Sequence, residues 1–102
     1  MKKYDKLVRD LIPEIIRKDG KECSVKIVSE KEKLPLLEEK LKEEVNEYLE
    51  DKNIEELADV IEVLFGLAEA LGYSEEDLVK AREKKRDERG GFKDGVVLGE
   101  VW

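Results

Sequence analysis

Leu34, Leu37, Leu41, Val45 and Tyr48 recur at spacings of three and four, a pattern that an α-helix gathers onto one face. After the short break EDKN, a second apolar run extends from Ile54 to Leu71. Two helices joined by so short a connection must lie antiparallel and side by side. The first is expected from Glu30 or Leu34 to Asp51, with Pro35 in its first turn or else kinking it. Asn53 is placed to cap the second helix, and Gly72 to follow its last turn.

The remaining segments fit around this hairpin. Ser74 with Asp77 reads as a capping box with a shorter acid, opening a third long helix to about Arg89. A short helix begins at or just after Asp10, with Pro13 in its first turn and Gly20 at its end. CSVKIV, 23–28, alternates weakly, and Val96 to Leu98 follows turn chemistry at Asp94-Gly95, so both predict short strands. The expected fold is mainly all-α: a helical bundle around an antiparallel pair, forming one domain over residues 1–102. Gly66 is expected to permit close helix packing.

Apolar residues make up 40% of the chain and charged residues 46%, which is too apolar for a disordered segment. Cys23 is the only cysteine; no disulfide can close within this sequence, and a reducing compartment is expected. No apolar run is long enough to span a bilayer. The basic opening MKKYDKLVRD lacks the apolar stretch of a secretory leader. A cytoplasmic protein without membrane contact is the expectation.

Charge is unevenly divided. Residues 30–62 carry thirteen acids and five bases, while residues 1–21 and 82–89 are net basic. An acidic centre with basic flanks argues against a nucleic-acid-binding face. It suits either a solvated, salt-bridged helical surface, which charge alone favours, or a cation in the centre with an anionic ligand reaching toward the flanks.

Within the centre, Glu44 and Glu47 border the first apolar stripe, and Glu56 and Asp59 sit on the second helix at the same i, i+3 spacing. At 100° per residue, Glu56 falls between Val63 and Leu67, inside the apolar face, and Asp59 falls at its edge. Only the sector around Glu55, Asp59, Glu62, Gly66 and Glu69 is expected to face water. With the turn centred between Asp51 and Lys52, Glu47 lies level with Glu56, and Glu44 with Asp59. Four carboxylates at one height repel unless a divalent cation with oxygen ligands, Mg²⁺ or Mn²⁺, joins them. The alternative gives each acid a Lys or Arg partner. The chain has no histidine, which excludes histidine-dependent zinc or iron sites and the commonest general base. The segment REKKRDERGGF, 82–92, offers Lys85, Arg86 and Arg89 either as helix C-terminal charges or as a phosphate grip. KLVRD adds Lys6 and Arg9.

KLKEEVNEYLEDKNIEELADV resembles the EExxE…ExxD motif of the MazG-like, all-α nucleoside triphosphate pyrophosphohydrolases, a group that includes the phosphoribosyl-ATP pyrophosphohydrolases. YDKLVRDLIPEII and KKRDERGGFKDGVVL resemble segments of a small single-domain branch, so the resemblance runs from Tyr4 to about Leu98. It implies an enzyme that uses Mg²⁺, with Mn²⁺ as an alternative, to hydrolyse a nucleotide between its α and β phosphates. The products would be a monophosphate and pyrophosphate, and the role a house-cleaning of nucleotide pools. Residue by residue, it implies Glu44, Glu47, Glu56 and Asp59 as metal ligands. Glu43 matches the first acid of the motif, although the helical wheel turns it away from the seam. Glu47 is assigned to orient the attacking water. Lys85, Arg86 and Arg89 are assigned to bind the leaving pyrophosphate, assisted by Lys6 and Arg9. Members of the family are commonly homodimers or homotetramers. The alternatives are a non-catalytic helical interaction module, with Val60, Leu64, Leu67 and Leu71 facing a partner helix, and a nucleotide-sensing module.

Overall fold

The computed structural model describes residues 4–102 and contains four helices: α1 (Ile12–Lys18), α2 (Glu30–Asp51), α3 (Ile54–Ala70) and α4 (Glu75–Arg89). The fold is all-α, with no strand among the described residues. Local chemistry sets each boundary. Ser29 and Glu32 form a reciprocal capping box at the start of α2, and Ser74 and Asp77 form another at α4. The Asn53 side chain accepts from the Glu56 amide at 2.9 Å and opens α3. Lys52, at φ 48° and ψ 51°, closes α2 in the left-handed region. Gly72, at φ +93°, follows α3, while the Tyr73 amide donates back to the Ala68 carbonyl.

α2 and α3 pack side by side as the hairpin requires. Leu37 of α2 and Val63 and Ala68 of α3 are the buried apolar residues of their seam. Gly66 sits against Leu37: a Cβ built there would lie 3.0 Å from Leu37 Cδ2, tighter than ordinary van der Waals contact. α4 touches α3 alone, and α1 touches no other helix.

Of the two starts expected for α2, Glu30 is the one observed, which puts Pro35 inside the helix beyond its first turn, so the carbonyl of Lys31 has no i+4 amide donor; Lys31 is exposed, and water can serve that carbonyl. Two expectations are corrected. Residues 23–28 and 96–98 form no strands. An alternating segment becomes a strand only when another strand takes up its backbone groups, and no described segment does so. The apolar circumference of α3 is also less covered than its pattern implies. Ile54, Leu57, Ile61, Leu64 and Leu71 are exposed, although they lie outside the acidic sector.

Candidate functional site

Position in the hairpin decides which acids meet. Glu43, Glu44 and Glu47 lie on the last three turns of α2, and Glu56 and Asp59 on the first two turns of α3. A carboxylate oxygen from each of Glu44, Glu56 and Asp59 lies within 4.8 Å of the other two, and the same holds for Glu43, Glu44 and Glu47. Glu44 belongs to both groups. Its side chain is only 8% exposed, between the two helices.

Gathering these carboxylates around the buried Glu44 has electrostatic consequences. Lys40 Nζ approaches Glu44 Oε1 at 3.3 Å. Glu44 Oε2 and Glu56 Oε2 are buried without any hydrogen-bond partner among the described residues. Such orphaned oxygens are costly unless a cation or a proton satisfies them. The Glu47 carboxyl is held above its ordinary pKa, first by desolvation and then by the negative charge of Glu44 and Glu56. Glu56 is likewise raised by desolvation, then by Asp59, Asp51 and Glu44.

Three basic side chains answer part of this charge. Arg9 Nη2 donates to Asp59 Oδ1 at 2.6 Å, and Lys6 Nζ donates to Glu43 Oε1 at 2.6 Å. Lys40 bridges Glu43 at 3.4 Å and Glu44. The Lys6 ammonium holds the Glu43 carboxyl below its usual range, and the same hydrogen bond raises Lys6. Five carboxylates (Glu43, Glu44, Glu47, Glu56 and Asp59) against Lys6, Arg9 and Lys40 leave a charge of −2 when all are ionised. Glu47 and Glu56 have no basic partner among the described residues.

The donor set is entirely carboxylate oxygen, which suits a hard divalent cation such as Mg²⁺ or Mn²⁺. The two orphaned oxygens and the residual double negative charge fit such an ion. Beside the acids, a half-open cleft of about 440 Å³ lies between the N-terminal segment and α2, lined by Lys6, Leu7, Leu36, Lys40 and Glu43 among others.

The structure therefore gathers Glu44, Glu47, Glu56, Asp59, Lys6 and Arg9 in one region. It does not gather Lys85, Arg86 and Arg89 with them. These three lie on the exposed second half of α4, which makes no contact with α2. Glu43, turned from the seam by the wheel, joins the cluster because its side chain reaches the cations that flank it. Lys40 was not singled out from the sequence, although its i+3 and i+4 spacing to Glu43 and Glu44 carried the signal. Cys23 is half-buried, with its Sγ 3.9 Å from the Pro13 carbonyl oxygen, and takes no part in the cluster. Compared with protein-family models, curated proteins and solved structures, the chain finds no match.

Proposed function

We propose that the chain is a divalent-metal-dependent hydrolase that cleaves a nucleoside triphosphate between its α and β phosphates, releasing the monophosphate and pyrophosphate. The observation that carries this reading is the buried Glu44, with an unpartnered oxygen at the junction of two carboxylate groups. The likeness of the acidic motif to the MazG-like enzymes supplies the reaction.

Glu44, Glu56 and Asp59 would hold the cation, with Glu43 and Glu47 on its α2 side. When bound, a divalent cation offsets phosphate charge and makes a coordinated water easier to deprotonate. Glu47 is suited to take that proton, because its raised pKa brings a carboxylate closer to neutral pH. Lys40, 3.3 Å from Glu44 Oε1, holds that carboxylate in place. Arg9 and Lys6 supply guanidinium and ammonium groups at the rim, where negative charge builds up on the bridging and leaving oxygens. Leu7 and Leu36 give the adjoining cleft an apolar wall, and its volume lies within the range of small-molecule sites. No described helix is long and apolar enough to cross a membrane. In this reading the protein acts in the cytoplasm.

Arg9 is paired with Asp59 Oδ1, so it competes with a cation for the Asp59 carboxylate. Arg9→Ala is therefore expected to tighten Mn²⁺ binding to the free protein by about fivefold, the scale of one lost exposed ion pair. The same change should lower kcat/KM by about 10²-fold through loss of a charge-stabilising donor. Isothermal titration and a pyrophosphate-release assay with a panel of canonical and modified nucleoside triphosphates measure both. Unchanged or weaker Mn²⁺ binding would remove Arg9 as a competitor, and no release from any nucleotide would overturn the reaction.

A further inference from the structure

Residues 4–11 form neither helix nor strand, and α1, which follows them, touches no other helix. Among the described residues, no backbone hydrogen bond joins 4–11 to the hairpin. Leu7 alone of their apolar side chains is half-buried, in the cleft it shares with Leu36; Tyr4, Val8 and Leu11 are exposed. The polar hold on the segment is two ion pairs, Lys6 to Glu43 and Arg9 to Asp59, both at 2.6 Å. Glu43 belongs to α2 and Asp59 to α3. The segment therefore lies across the hairpin with one tether on each helix.

The tethers end where a cation would act. Glu43 is a member of the Glu43, Glu44 and Glu47 group, and Asp59 of the Glu44, Glu56 and Asp59 group. Each basic side chain thus holds one acid of a different group, and the groups share the buried Glu44. The four tethering side chains are between 30% and 53% exposed, and an ion pair so open to water is a weak hold. Lys6 and Arg9 are three residues apart, so each pair keeps the other's partners close together. Loss of one tether leaves the segment on a single weak pair and Leu7.

We propose that residues 4–11 are a strap released by divalent cations. It is closed across the hairpin while Lys6 and Arg9 serve as counter-ions to the acids, and it is freed when a cation takes the carboxylate of Asp59 or Glu43. This rests on the reading of the acid cluster as a cation site. Asp5, Lys6 and Leu7 form one wall of the cleft of about 440 Å³, and Leu36, Glu39, Lys40 and Glu43 the other. Release of the strap opens the cleft from its N-terminal side. The cation that fills the acid cluster therefore also uncovers the space beside it. The coupling is reciprocal: whatever holds the strap down weakens the cation's hold on the acids, and a bound cation loosens the strap.

Backbone ¹⁵N relaxation of the full chain reads the amides of Leu7 and Val8, which lie between the two tethers. Without metal their order parameters are expected near the helix value of about 0.85, and with saturating Mg²⁺ below about 0.6. NaCl at equal ionic strength should leave them ordered. Lys6→Ala cuts one tether and keeps every acid, and it should lower both order parameters without Mg²⁺. Shifts of the Glu44 and Glu56 amides report Mg²⁺ binding separately. Leu7 and Val8 that stay ordered while those shifts saturate overturn the strap and leave the cation site standing. Release by NaCl alone, or an ordered segment in Lys6→Ala, overturns it as well. Absence of any Mg²⁺ shift at Glu44 and Glu56 removes the cation site and the strap's release together.

Discussion

Glu56→Gln is expected to lower magnesium-dependent pyrophosphate release by about two to three orders of magnitude and, without metal, to raise the melting temperature. Both effects have one cause. Glu56 Oε2 is buried without a partner, and Asp59, Asp51 and Glu44 all press on its charge. The amide keeps the shape and removes the repulsion, so the empty fold gains. It also removes one of the ionised oxygens that a divalent cation requires. Glu55→Gln is the matched control, because Glu55 is exposed and belongs to neither carboxylate group; that variant should show neither effect. Loss of helical circular dichroism in Glu56→Gln would make Glu56 a structural residue. Retained activity would remove it from the site.

The stabilisation given by Mg²⁺ is expected to fade as pH falls from neutrality, starting above the pH at which ordinary glutamates protonate. Glu47 and Glu56 are both raised above the reference value of 4.5 by desolvation and by neighbouring acids. The sign follows from linkage. A carboxyl raised in the fold favours the folded state below its unfolded pKa, and that advantage is lost as pH rises through the folded pKa. The metal-free protein therefore loses stability from these two groups on the way to neutral pH. A cation must displace the same protons, so the melting temperature gained with Mg²⁺ should shrink between neutrality and pH 4.5. Glu43 and Asp77 work in the opposite sense. Lys6 lowers the first and the Ser74 cap the second, so their contributions are present above their ordinary pKa values and lost in acid. Thermal scans with and without Mg²⁺ across this range separate the two trends. A gain that stays constant down to pH 4.5 would show that Glu47 and Glu56 do not meet the ion.

The hairpin was legible because its information is periodic. Spacings of three and four fixed the faces of α2 and α3, a two-residue turn fixed their direction, and the level of Glu44 with Asp59 followed from counting. What joins the site from outside the hairpin was harder to place. Lys6 and Arg9 reach partners 37 and 50 residues away from a segment without helix or strand, where no periodicity predicts a path. Glu43 stands where the wheel puts it, beside the seam and outside the Glu44, Glu56 and Asp59 group, and its length lets it reach Lys6 and Lys40. The two alternating segments carry β-type patterns, yet a strand is a property of a pair, and no described residue supplies the second member. The open stripe of α3 was counted as covered for a related reason: a wheel shows that a face is apolar, not what stands opposite it.

The most direct test is anomalous diffraction from a crystal of the full chain soaked in Mn²⁺. A peak within about 2.5 Å of oxygens from Glu44, Glu56 and Asp59, with Arg9 displaced from Asp59, is the predicted result. The contradictory one is no peak at saturating Mn²⁺, with Arg9 still paired to Asp59 and Glu44 Oε2 neutralised by a lysine.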